Sequence, residues 1–415
     1  MKGIFLVLDG VADEPCQSLG HCTPLQVAKT PNLDALARMS DIDSSDVVKP
    51  GVASESSRAM VSLLGFDSNH VSRGPLELIG ARIKCARGDL VLRTNFATID
   101  DIKNKNIIDR RAGRTLNTKD AKVLAKAINT KVKLPFKFKF YPTNQHRGVL
   151  VFRGGFSDNI SNVDPDYGSG SAFSVKSGKF AFSKPLDEEE DSKLSADLVN
   201  RFVRESHRVL DKHPLNKARA RKGLHAANFL LCREPGTEIP KFNKLKGRWM
   251  ALAYTPLISG ISRASNMDIY GFSYPKMKGT NVYANLNDAL SKAIKSSIKM
   301  IRKYKSKYDY FYLNFREMDV PGRDGKPLDK VKMIEMVDKR FFSFLKRFVE
   351  RNNIRLVVVS SQVTSSNKRV HTASPVPVLT YPGKNDPVRK RFTEEQANKG
   401  KKLSGRRLVE KNLFG

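Results

Sequence analysis

The stretch MKGIFLVLDG (residues 1–10) decides how this chain is read. Gly3 to Leu8 is an apolar run without polar alternation, the mark of a strand covered on both faces, and it ends by delivering Asp9 and Gly10. Two later runs follow the same grammar. YDYFYLNF (308–315) leads towards Asp319, and IRLVVV (354–359) opens onto the polar stretch SSQVTSSNKRVH, which ends at His371. Between them Val331, Met333, Ile334, Met336, Val337, Phe341, Phe342 and Leu345 recur with a 3.6-residue period, which predicts a helix over residues 330–350. Strand, helix, strand is a parallel unit, so the fold class is α/β. Ligands of open parallel sheets bind beyond the carboxyl ends of the strands, and Asp9, Asp319 and His371 are expected to meet there.

Around this core lie 415 residues, 40% hydrophobic and 28% charged, a composition that predicts a globular protein of two domains. No window approaches the ~20 apolar residues that cross a bilayer, and the N-terminus lacks the apolar region and cleavage site of a signal peptide. The expectation is a cytoplasmic protein with no membrane partner. Cys16, Cys22, Cys85 and Cys232 form no Cys-x-x-Cys pair and are expected to be ordinary thiols.

The middle of the chain has a different texture. KVKLPFKFKF (131–140) alternates basic and apolar residues, GGFSDNISNVDPDYGSGS (154–171) is rich in turns, and residues 187–191 are acidic. This predicts a smaller inserted α/β domain over residues 90–240, with residues 1–89 and 241–415 as a discontinuous core and residues 384–415 as a basic C-terminal segment.

The turn ASESSRAM (53–60) precedes a helix-like apolar stretch. A serine at a helix N-terminus has backbone N–H groups beside it for a phosphate, and a nearby dication lowers its hydroxyl pKa. With Asp9 close by, Ser56 is a candidate nucleophile for metal-assisted phosphoryl transfer; the alternative is a simple helix cap.

Taken in order, LDG (8–10), TPLQVAKTPNLDALA (23–37), LLGFD (63–67), RGPLE (73–77), LRTNFATID (92–100), DRRAGR (109–114), HRGVLVFRG (146–154), SDNISNVDP (157–165), HPLNKARARKGLHAANFLL (213–231) and SPVPVL (374–379) resemble the archaeal-type, cofactor-independent (2,3-bisphosphoglycerate-independent) phosphoglycerate mutases of the alkaline phosphatase superfamily. The resemblance spans nearly the whole chain. It implies an alkaline-phosphatase-like parallel-sheet core interrupted by a smaller substrate-handling domain. It also implies a two-metal site at which a phosphoserine forms and returns its phosphoryl group to the other hydroxyl of glycerate.

Residue by residue, the resemblance places Asp9, Asp319 and His371 at metal-binding positions and Ser56 at the nucleophile. Other positions depart from the family's pattern. Its Pro-Gly-Ser-Asp-Thr-Ala-His segment is here Ser54-Glu55-Ser56-Ser57-Arg58-Ala59-Met60, and a ligand histidine is Arg323. Its Gly-Asp-His after the last core strand is Ser361-Gln362-Val363, and a lysine expected to reach the site is Ser259. A guanidinium cannot be deprotonated, and two dications are held together only by carboxylate charge and neutral imidazoles. The metal site is therefore expected to be vestigial and empty, with Arg323 compensating Asp319, Ser56 as a remnant nucleophile, and no cofactor. Arg93, Arg110, Arg111, Arg114, His146, Arg147, Arg221 and Arg263 lie in matching motifs; two readings stand side by side, binding of a phosphorylated small molecule, or capping of carbonyls and pairing with Asp100 and Asp109.

Net charge sharpens the functional reading. The sum is +32, distributed as −2 over residues 1–100, +19 over 101–300 and +15 over 301–415. Lys131, Lys133, Lys137 and Lys139 would line one face of a strand, Lys292, Lys295 and Lys299 one side of a helix, and Arg389, Lys390, Arg391, Lys401, Lys402, Arg406 and Arg407 the C-terminal segment. A small substrate needs no such surface, whereas RNA affinity grows with each neutralised phosphate. The leading expectation is a catalytically degenerate pseudoenzyme acting as an RNA-binding component associated with the ribosome through ribosomal RNA and ribosomal proteins. The alternatives are an active mutase interconverting 2- and 3-phosphoglycerate with two divalent ions (manganese, magnesium, zinc or cobalt) in an altered set, and a sensor of a phosphorylated metabolite.

Overall fold

Parity along Gly3–Leu8 organises the core: Ile4, Leu6 and Leu8 enter one apolar cluster, Phe5 and Val7 a second on the opposite face. The computed structural model describes residues 1–69, 71–165, 178–383 and 390–414. In it this strand is central in an eight-stranded sheet ordered Lys402–Ser404, Asp41–Asp46, Val376–Tyr381, Arg355–Ser360, Gly3–Leu8, Tyr310–Phe315, Trp249–Leu252, Asp268–Tyr270. Neighbours are parallel except at Val376–Tyr381, which runs antiparallel to both of its own.

Helices cover both faces. Pro31–Ala37, Val282–Tyr304 and Pro327–Val337 pack on the Leu6 side, and Ser56–Leu63 and Pro256–Ala264 on the Phe5 side. The helix expected over 330–350 is present, running as Pro327–Val337, a wider turn over Asp338–Phe342, and Ser343–Asn352. Among the described residues no helix is long and apolar enough to cross a membrane. All four cysteines are free, and burial pushes the Cys16 thiol up to about 11.

A second sheet is built from Ile107–Asp109, Leu90–Ile99, Arg147–Phe152 and Phe138–Pro142, with Phe229–Gly236 also pairing to Leu90–Ile99. Leu92, Phe96, Leu150 and Phe152 face Thr118–Lys131 and Glu190–Asp211, whereas Val91, Val149 and Val151 face Leu78 of helix Arg73–Gly80. That helix is clasped between the two sheets. A Cβ on Gly74 would lie 2.5 Å from the Val91 carbonyl, one on Gly80 1.8 Å from that of Pro256, and one on Gly260 1.9 Å from that of Leu76. Gly260→Ala should accordingly destabilise by about 1–3 kcal/mol through forced separation of the two helices, read as a lowered thermal midpoint.

Residues 131–140 are not one strand. Lys131 closes the helix Thr118–Lys131, whose apolar period buries Ala121, Leu124, Ala125 and Ile128, and pairing begins only at Phe138. Pro135, lacking an N–H and constraining the residue before it, sits in the connection with Lys133 and Lys137. Phe136 is 39% exposed, while Phe138 and Phe140 do turn inward around exposed Lys139. Part of the turn-rich stretch 154–171 lies outside the described residues.

Candidate active site

Leu8, Phe315 and Ser360 are in register, so three parallel strands end together and hand Asp9, Glu317 and Ser361–Gln362 to one place. Two residues beyond Glu317, the short helix Asp319–Asp324 begins. A hairpin, Val363–Ser365 with Val370–Thr372, then folds His371 back opposite Thr364. Gly10 makes the junction close: its φ is +64°, and a Cβ there would meet Asp319 Cα at 2.7 Å.

Asp9, Asp319 and His371 therefore converge, as their positions beyond the strands predict. Asp319 is enclosed by donors. Arg323 Nε donates to Oδ2 at 2.9 Å, Thr364 Oγ1 to Oδ1 at 2.8 Å, and His371 Nε2 lies 2.8 Å from Oδ1. Arg323 Nη2 is also 2.7 Å from His371 Nε2, and His371 Nδ1 is 3.0 Å from the Ser54 carbonyl, which ties the loop before Ser56 to the cluster. Gln362 Nε2 spans both carboxylates, at 2.7 Å from Asp9 and 3.3 Å from Asp319, and Ser361 Oγ donates to Asp9. Burial, with Asp319 as the next cause, pushes the Asp9 carboxyl up; burial acts the same way on Asp319, but Arg323 and His371 outweigh it and hold that carboxyl well below the usual range.

A second group of side chains faces the clasped helix. Arg93 and Arg233 are direct cross-strand partners, and Asn95 pairs with Arg147 on the other side, so three guanidiniums share one face of the inserted sheet. Like charges so placed repel unless acids intervene. Glu77 Oε1 accepts Arg73 at 2.7 Å and lies 3.1 Å from Arg93, Glu234 lies 3.5 Å from Arg93, and Asp164 lies 3.2 Å from Arg110 and 3.3 Å from Arg233. Hydrogen bonding within the cluster is incomplete on both sides: Arg147 Nε, both ring nitrogens of His146, Glu77 Oε2 and Glu234 Oε2 are buried without a hydrogen-bond partner. Burial first, then Arg316 and Arg93, hold the Arg147 guanidinium well below its ordinary value; burial and then Arg147 do the same to His146, which is therefore neutral.

Glu77 offers a pH test of this cluster. Burial alone would raise its carboxyl, but Arg73 and Arg93 bring it from 4.5 to about 2. Its contribution to stability is present above about 4.5 and lost as pH falls through about 2. Wild-type thermal midpoints should drop across that window, and Glu77→Gln should flatten the drop.

The other candidates separate. Arg114 pairs with Asp324, which also accepts from Tyr283 Oη at 2.8 Å, and so ties the inserted domain to the helix carrying Asp319 and Arg323. Arg111 donates its backbone N–H to Asp109 at 2.7 Å. Arg221 is exposed at the end of helix Pro214–Arg221, and Arg263 has Arg82 as its charged neighbour. Sequence reading missed Arg73, Glu77, Arg233, Glu234 and Arg316. The Arg-x-x-x-Glu spacing of RGPLE was the one usable signal. It also missed Glu317, which burial pushes up to about 7 and which accepts from Tyr254 Oη at 3.0 Å. Among the described residues no group of three or more His, Cys, Asp or Glu is arranged to hold a metal ion.

The family model described as 2,3-bisphosphoglycerate-independent phosphoglycerate mutase matches residues 37–216. A protein of that name from Thermococcus kodakarensis is 35% identical over 396 residues, covering 92% of this chain and 88% of its own, and one from Methanosphaera stadtmanae is 35% identical over 408 residues, covering 96% and 94%. The chain belongs to this mutase family. A solved structure of a Pyrococcus horikoshii protein superposes with a TM-score of 0.71 at 25% identity, covering 100% of this chain and 96% of that one. The cofactor-independent phosphoglycerate mutase of Thermoplasma acidophilum gives 0.53 at 26%, covering both chains in full. The α/β core with its mostly parallel sheet is thus the mutase architecture.

Membership corrects the leading functional expectation. Relatives at this identity over nearly the whole chain bear the name of an enzyme, which overturns the reading as a pseudoenzyme bound to RNA and the ribosome. The inference from charge failed because a positive excess does not by itself name a partner, and some of these cations are engaged within the chain. Arg391 reaches Asp34 and the carbonyls of Gln26 and Ala28, Lys402 pairs with Asp46 at 2.9 Å, and Lys292 donates to the Ser273 carbonyl. Lys131, Lys133, Lys137, Lys139, Lys295, Lys299, Lys401, Arg406 and Arg407 are exposed, Lys390 is half-buried, and Arg389 lies outside the described residues. Lys131, Lys133 and Lys137 do not share the strand face expected of them.

Proposed function

We propose that the chain is a phosphoglycerate mutase, interconverting 2- and 3-phosphoglycerate by way of a phosphoserine at Ser56, in the cytoplasm. The observation that carries this reading is the buried arginine cluster beside the start of helix Ser56–Leu63. Ser57 Oγ donates to Glu234 at 3.4 Å, next to Arg93, and Glu55 feels His371, Arg323, Arg233 and Arg73 together, enough to lower its carboxyl despite burial. These flanking contacts support a Ser56 that works between the Asp9–Asp319–His371 cluster and guanidiniums suited to a phosphate and a carboxylate. In this proposal residues 90–240 handle substrate and residues 1–89 and 241–415 carry the nucleophile.

The Ser56 Oγ–P bond forms as the bond from phosphorus to the glycerate oxygen breaks, and the serine proton ends on that oxygen. The other glycerate hydroxyl then attacks, breaking the bond to Ser56 and returning a proton to it. Arg93, Arg147 and Arg233 hold substrate anions and offset charge on the transferring group.

Two divalent ions go with this reaction in the family reading. The donor set does not fit them: Arg323, Thr364 and His371 engage both oxygens of Asp319, Gln362 takes a bridging place between the carboxylates, and the guanidinium cannot give up its charge. A coupled assay converting 3-phosphoglycerate, run with and without manganese, cobalt, zinc or magnesium, tests the proposal. Turnover above background supports it, and no turnover under any of these conditions overturns it.

A further inference from the structure

We infer that Arg323 is the resident cation of this site, standing in for the divalent pair, so that Asp9, Asp319 and His371 form a closed charge network that takes up no paired dications. The inference rests on the mutase reading for its relevance to catalysis, and on geometry for its substance.

The guanidinium meets the requirements of a built-in ion. It comes from the same helix as Asp319, four residues on, so its fork lies against the carboxylate without reaching across the pocket. It contacts two of the three remaining ligand-type residues at once, Nε on Asp319 at 2.9 Å and Nη2 on His371 Nε2 at 2.7 Å, with both side chains of the ion pair largely buried. A metal at that point would need the same carboxylate oxygens and the same imidazole nitrogen. It would also approach a permanent positive charge in a site that screens poorly.

The second place is filled as well. Gln362 Nε2 lies between Asp9 and Asp319, where a bridging ion would draw two carboxylates together, and supplies N–H dipoles in place of charge. Its Oε1 is left buried without a partner, and one neutral oxygen is no substitute for a third anionic ligand. Val363, next along the chain, offers no donor.

The experiment uses the full chain, treated with chelator, dialysed, and titrated with manganese, cobalt and zinc by calorimetry, with bound metal counted by elemental mass spectrometry. The expected result is well under one retained equivalent and no saturable binding at tens of micromolar metal. Two retained equivalents, lost in Asp9→Asn, would overturn the inference. Arg323→His should gain at least one equivalent and tighten metal binding at least tenfold, whereas Arg323→Lys should stay empty. Should Arg323→His fail to fold, Arg323→Gln serves for the same gain. A folded Arg323→His or Arg323→Gln that still takes no metal also overturns the inference, because the guanidinium would then not be what excludes the ions.

Activity is scored separately. Wild-type enzyme that turns over only when loaded with metal refutes the resident cation and leaves the mutase reading intact. Wild-type protein that is empty and inert refutes the mutase reading and leaves the resident cation intact.

Discussion

Lys330→Met should lower the free energy of unfolding by about 3–5 kcal/mol, the largest stability loss expected of any single charge removal in this chain. Lys330 and Asp13 are both fully buried, with Nζ 2.6 Å from Asp13 Oδ2 and 2.9 Å from the Thr364 carbonyl. Asp13 also accepts from the Ser366 N–H and Oγ and the Glu14 N–H, so its charge is fixed by a shell that methionine cannot replace. The loss is dominated by a carboxylate left buried without its cation, not by the value of the pair itself. Denaturant unfolding should show a shifted midpoint at unchanged slope, and Lys330→Met with Asp13→Asn should recover most of it. A single variant within 1 kcal/mol of wild type would mean that the charge is solvated.

Ser56→Ala should reduce mutase turnover about a thousandfold or more, because the acceptor oxygen for the phosphoryl group is gone and no step of the double transfer survives it. Stability should barely move: Ser56 is half-buried, and alanine suits the first turn of a helix. Substrate affinity should also hold, since on the proposed reading the arginines, and not Ser56, bind the anions. Arg93→Met should do the converse, raising KM far more than it lowers kcat. Brief incubation with phosphoglycerate followed by intact-mass measurement should show a phosphate-sized increment in wild type and none in Ser56→Ala. Retained increments in the alanine variant would place the acceptor elsewhere.

What the sequence made legible was whatever follows from strict local rules. The apolar runs at 3–8 and 356–359 read as strands covered on both sides, and the chemistry at their ends follows from the direction of a parallel sheet. Asp41–Asp46, by contrast, reads DIDSSD and carries no strand signal; it pairs because Val376–Tyr381 and Lys402–Ser404 flank it. Tertiary pairing overrides propensity there. The Asp319–Arg323 contact was visible as an i, i+4 spacing, but the bridging place of Gln362 and the face shared by Arg93, Arg147 and Arg233 depend on register between distant segments. Net charge misled because exposed lysines are as compatible with a soluble enzyme's solvated face as with a polyanion-binding one.

The tie from Arg114 to Asp324 has a mechanical consequence. Asp324 is the last residue of a helix of six residues, under two turns long, whose first residue is Asp319. Were the two sheets to move apart, that ion pair would have to break or the short helix would have to shift with it. The ion pair thus joins the sheet carrying Arg93 and Arg147 to the helix whose first residue sits among the charges of the pocket.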